Sequence, residues 1–158
     1  MIDAGRRGTK CALDHAARIE SGDPAAAAKL MEIAKTISFN VGANAWPGWG
    51  DDGVEISPDQ RKAGIEAAML SLRLVNELNL GPHQIGNAHW LVGAHHIAAR
   101  CPEAALASLD EAARAFASAG DSQVLASEVR RVPTLSRERD ASFRLPCILD
   151  MQMSDMIR

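Results

Sequence analysis

At 158 residues and a net charge of −3, the chain has the length of one domain and enough material to bury a core without disulfide or metal staples. Alanine is abundant, tyrosine is absent and aromatics make up only 4%, a composition that favours helix over strand. The mild negative charge excludes a general pull toward nucleic acid or anionic lipid, and no stretch approaches the ~20 apolar residues of a membrane helix. Cys11, Cys101 and Cys147 are too few and too widely spaced for a disulfide framework, which points to thiols in a reducing compartment. No apolar signal core follows Arg6, Arg7 and Lys10, so the expected location is cytoplasmic.

The first element is a modest helix within Met1–Gly22, with Cys11, Leu13, Ala16, Ala17 and Ile19 as its apolar members. Ser21-Gly22-Asp23-Pro24 then ends one helix and opens the next, because aspartate caps and proline suits a first turn. A long helix is predicted from Pro24 toward Ala45. Leu30, Ala34, Ile37 and Val41 recur there at three and four residues, and Met31 and Ile33 broaden the face. Trp46–Ser57 reads as a loop rich in glycine and proline.

Ser57-Pro58-Asp59-Gln60 is a strong helix start, with a serine cap and glutamine three residues later. The helix it opens, Pro58 to about Asn79, is apolar on two adjoining faces. Ile65, Ala68, Met69, Leu72 and Val75 form one; Ala67, Leu70, Leu74 and Leu78 form the other. The pairs Lys62–Glu66 and Arg73–Glu77 fall at i,i+4, each contributing about 0.3 kcal/mol. A helix so widely apolar needs neighbours on both sides. Gly81-Pro82 resets the chain for a helix to about Ala99, carrying Ile85, His89, Val92 and His96 on one face. Cys101-Pro102-Glu103 starts another, carrying Leu106, Leu109, Ala113 and Phe116 and ending at Gly120-Asp121. Residues 1–121 are therefore expected to form one helical domain. In 122–158, Gln123–Arg131 suits a further helix. The rest shows no sustained period and fits either disorder or an irregular end cap.

Across Gly86–Ala119 the two-helix pattern resembles a tetratricopeptide repeat. Val92 and Gly93 stand at the family's leucine–glycine pair, and Ala105 at its small position inside the second helix. Leu109 stands at the later aromatic place and Ala112 at the next small one. Asp23–Ala34 is similar to the second half of the pattern, with Ala27 at the close crossing. The chain departs from it at His89 and His96, where the family has large aromatics, and in lacking the final proline. The resemblance implies an all-α, tetratricopeptide-like superhelix of five or six antiparallel helices with a groove that binds a peptide or protein. Where some relatives clamp a C-terminal carboxylate, this chain has Trp90, Leu91, Ala94 and Ala98, so that clamp is not implied.

The segment Asn40–Asp52 is the most suggestive surface. Asn40, Asn44, Trp46, Trp49, Asp51 and Asp52 combine broad apolar faces with groups that donate, accept or carry charge. Together with Trp90 they are the candidate residues for binding a ligand or partner. The plain alternative is that the tryptophans bury the loop while the asparagines face water. The paired aspartates lack the further ligands of a calcium loop.

His83, His89, His95 and His96, with Cys101, raise the question of metal. His89 and His96 share a helix face but lie about 10 Å apart along it, too far to ligate one zinc without other elements. Packed core histidines account for them more simply, and no cofactor is expected. As acid–base groups they would need a pocket and an orienting partner, which the sequence does not show. Ser38 and Ser71 lack a nucleophile-elbow context. Arg130, Arg131, Arg137, Arg139 and Arg144 are mixed with Glu138 and Asp140 and lack stacking aromatics, which disfavours nucleic acid. The expected role is thus an interaction module whose partner is a peptide, a protein or a second copy. The competing reading is a small-ligand binder or enzyme in which His89, His96, Trp90 and the Asn40–Asp52 segment converge.

Overall fold

A computed structural model describes residues 2–49 and 53–120, and these are all-helical. Five α-helices follow one another: α1 (Ile2–Ile19), α2 (Pro24–Asn44), α3 (Pro58–Glu77), α4 (Pro82–Ala98) and α5 (Pro102–Ala119). A single 3-10 turn, Pro47–Trp49, follows α2. Asp51, Asp52 and the whole of 122–158, with its expected helix and tail, lie outside the described residues.

The punctuation works as its chemistry dictates. Four helices open on proline, whose missing N–H is harmless in a first turn. The Asp23 carboxylate accepts from Ala26 N at 2.9 Å. Ser57 and Gln60 form a reciprocal capping box, with Ser57 N donating to Gln60 Oε1 at 2.8 Å. α3 and α4 end alike: Asn79 and Arg100 turn left-handed, and the next amides, Leu80 N and Cys101 N, donate back to Val75 O and His96 O. Asparagine accepts that geometry readily, whereas arginine holds it at some conformational cost.

Each helix packs mainly on the next, and in three of these pairs residue numbers that rise along one fall along its neighbour. Gly5 faces Ile37 and Val41, and Thr9 Oγ1 lies 3.4 Å from Ser38 Oγ. Gly64 faces Ala45 while Gly42 faces Ala68. Gly86 meets the Phe116 ring, and Gly93 meets Leu109 and the Ala105 carbonyl. The pairs α1–α2, α2–α3 and α4–α5 are therefore antiparallel. Two apolar clusters result: a small one around Ala12, Ala34 and Leu74, and a larger one around Trp46, Ala68, Trp90, Leu91 and Phe116.

Some faces differ from the sequence expectation. α1 buries Thr9, Ala12 and Ala16, leaving Cys11 exposed. On α5 the buried residues are Ala105, Ala112, Ala115 and Phe116, while Leu106 is 63% exposed. Small residues line these crossings because the backbones approach closely there, and larger apolar groups are displaced to the sides. In α4 every residue from Trp90 to His96 is buried, so this helix is even more enclosed than α3. Glu66 of α3 lies 3.7 Å from Arg6 of α1, while Arg73 and Glu77 pair at 3.3 Å as their spacing implies.

Gly64 is the tightest test of this packing. A Cβ there would stand 2.5 Å from Ala45 Cβ and 2.9 Å from His95 Cε1, neither of which is the free end of a flexible chain. Gly8 in α1 has room, since its nearest neighbour would be Ile37 Cδ1 at 3.6 Å. Gly64→Ala should therefore lower stability by roughly 1–3 kcal/mol despite alanine's better helix propensity. Gly8→Ala should be neutral or stabilising by up to ~1 kcal/mol. Urea denaturation of the two variants checks the contrast. Equal effects would show that overpacking does not govern the α2–α3 crossing.

Candidate functional site

The C-terminus of α2 builds the site. A helix end leaves carbonyls without intrahelical donors, and these must find others. Ala45 N takes up Val41 O and Gly42 O, and Trp46 N donates to Ala43 O. Pro47 then bends the chain into its short turn, which lays Trp49 back over the helix end. Its indole Nε1 donates to Ala43 O at 2.6 Å. Trp46 turns inward and its Nε1 donates to Ala94 O of α4 at 3.1 Å. From the other side, the His95 ring meets Gly42 O through Nε2 at 3.0 Å. A carbonyl can only accept, so neutral His95 carries its proton on Nε2.

Trp90 completes a three-ring cluster. Ring centroids lie 4.9 Å apart for Trp46–Trp49, 5.6 Å for Trp46–Trp90 and 6.3 Å for Trp49–Trp90. The first two pairs are edge-to-face, the arrangement that ring quadrupoles favour. Trp46 and Trp90 are 3% and 7% exposed, while Trp49 is 42% exposed. Trp90 Nε1 is buried without an acceptor among the described residues. Ser71 Oγ and His96 Nδ1 share that condition.

Of the candidate residues, the structure brings Trp46, Trp49 and Trp90 together. Asn40 and Asn44 are exposed on the last turns of α2, where Asn44 Nδ2 donates to Asn40 O at 2.7 Å. They serve each other locally. His89 and His96 do not join the tryptophans. At about 100° per residue they project from a side of α4 roughly 100–120° away from Trp90. His89 is half-buried near Glu111 of α5, and His96 is buried. Burial lowers the pKa of both; at His89 the Glu111 charge opposes the shift. Among the described residues no three His, Cys, Asp or Glu side chains gather as a metal site. No described helix is long and apolar enough to cross a membrane. No protein family, curated protein or solved structure matches the chain.

His95, grouped in the sequence only with the other histidines as a metal question, has a structural place that spacing did not show. Its ring lies against Gly64, where a Cβ would stand 2.9 Å from Cε1, and meets the backbone carbonyl of Gly42. A glycine inside the apolar helix α3, Gly64, was the available signal. Burial pushes the His95 pKa down to about 4; the hydrogen bond to Gly42 opposes this, and the neighbouring His96 adds to it.

The consequence for stability has a definite sign. In the unfolded chain His95 takes its proton near pH 6.5, whereas the folded form stays neutral down to about pH 4. Between those values the unfolded state binds more protons, so stability is fully present above pH 6.5 and falls as pH drops toward 4. The loss from this group is roughly 3 kcal/mol. Urea midpoints at pH 7.5 and 4.5 should show a steeper decline for the wild type than for His95→Gln. Parallel declines would remove His95 from the account.

Proposed function

We propose that this chain is a protein–protein or peptide interaction module, built as a tetratricopeptide-like helical stack and working in the cytoplasm. The carrying observation is Trp49: a tryptophan 42% exposed, resting on two other tryptophans that are almost wholly buried. Large aromatics anchored on a rigid base and open to solvent are the usual energetic centres of interfaces. The turn Pro47–Trp49 lays that ring at the end of α2, where its Nε1 donates to Ala43 O.

The tetratricopeptide-like arrangement is supported by one crossing in particular. Gly93 packs against Leu109 and Ala105, the positions where the family resemblance places its small and bulky residues. The partner class is a peptide segment, a protein or a second copy of the chain. Exposed apolar groups elsewhere, Ile33, Val54 and Leu106, are scattered over three elements and support no more specific choice.

A displayed peptide library selected on the full chain tests the proposal. Selected peptides should bind the wild type at least about tenfold more tightly than Trp49→Ala, as expected for the loss of an aromatic anchor. Light scattering over a concentration series should separate a second copy from a foreign partner. Failure to enrich any peptide, with a strict monomer at all concentrations, would overturn the reading.

A further inference from the structure

We infer that the tryptophan cluster is the specific binding site and that it takes a neutral aliphatic side chain carried beside a backbone carbonyl; this rests on the reading of the chain as a peptide-interaction module. The ligand enters between Trp49 and the Trp46–Trp90 floor, and its carbonyl accepts the Trp90 indole N–H.

The argument begins with an imbalance among three like groups. Trp46 Nε1 donates to Ala94 O and Trp49 Nε1 to Ala43 O, but Trp90 Nε1 has no acceptor among the described residues. Trp90 is 93% buried, so water does not readily serve it. An unmade hydrogen bond at a buried donor is costly, and a native structure keeps one mainly where something else completes it. The missing partner must be an acceptor.

The surroundings decide what else it must be. The cluster holding Trp46 and Trp90 consists of Leu91, Val92, several alanines and Phe116, with Phe39, Met69, Leu72 and Leu109 packed against it. A charged group placed there would be desolvated without a counter-charge. The acceptor is therefore neutral, and the group beside it apolar. A peptide carbonyl next to an aliphatic side chain has both properties.

Access is through Trp49. It is the outermost of the three rings, in contact with both others, and it rides on a three-residue turn, not on a helix. Such a turn opens locally at lower cost than the helices beneath it. After opening, the same ring closes over the ligand, so Trp49 keeps its part in binding.

The test uses the 15N-labelled full chain and two soluble probes. N-acetyl-leucine N-methylamide is neutral and carries backbone carbonyls. Isopentylammonium has the same aliphatic group but a positive charge and no acceptor. Titrated to tens of millimolar, the capped leucine should move the Trp90 indole N–H resonance downfield along a saturating curve and leave the Trp46 indole nearly still. Isopentylammonium should leave Trp90 unmoved. Trp90→Phe, which keeps a ring but removes the donor, should bind the capped leucine roughly fivefold more weakly.

An unmoved Trp90 resonance, an equal shift with the amine, or unchanged binding by Trp90→Phe overturns the inference. The wild-type titration holds independently if the variant does not fold. Library peptides that bind through Trp49 while Trp90 stays silent would sink this inference and leave the interaction reading standing. No selected peptide and no capped-leucine shift would remove both.

Discussion

The joint at the C-terminal end of α2 holds the described structure together. There the helix runs out of its own donors, and its last carbonyls are met by an indole from the following turn and an imidazole from α4. The imidazole reaches in because Gly42 and Gly64 let α2, α3 and α4 come close. The polar requirement and the steric one are thus met at the same place. Filling Gly64 would push on His95, and charging His95 would set an ion among apolar helices. Three helices depend on that one meeting point, whereas α1 and α5 each pack chiefly on a single neighbour.

The same joint explains why the tryptophans gather. Trp46 follows the α2 terminus directly, and its indole ties the loop to the middle of α4. That bond places Trp46 beside Trp90, one turn before Ala94. Trp49 then falls over both because the intervening turn is so short. An aromatic surface built this way rests on the helices below while its outer ring stays accessible. His89 and His96 lie on another side of α4 and do not join the tryptophans, whereas His95 reaches the same α2 terminus.

Much of the fold was legible because end signals are local. Asp23, Ser57 with Gln60, Gly81-Pro82 and Gly120 each mark a boundary that the helices respect. Helix faces were harder. In α1 and α5 the buried positions are occupied by threonine and alanine, and hydropathy gives these little weight beside Cys11 or Leu106. In α4 burial is nearly continuous from Trp90 to His96, so there is no stripe for a period to reveal. The site was partly visible: Trp46, Trp49 and Trp90 stood out by residue type, and folding alone joined them. The asparagines stood out in the same way, yet among the described residues Asn44 bonds the Asn40 carbonyl and both face solvent. His95 stood out only as one of several histidines, because its place depends on the space at Gly64 and the carbonyl of Gly42, both more than 30 residues away in the chain, a relation no local pattern records.

One optical consequence follows from the composition and the cluster together. The chain has three tryptophans and no tyrosine, and all three indoles touch. Nearly all of its near-ultraviolet absorption and emission therefore arises at a single locality, with excitation shared among rings a few ångströms apart. The molecule carries a built-in lamp at the end of α2. Its colour and brightness describe that neighbourhood and are almost blind to the far ends of the stack.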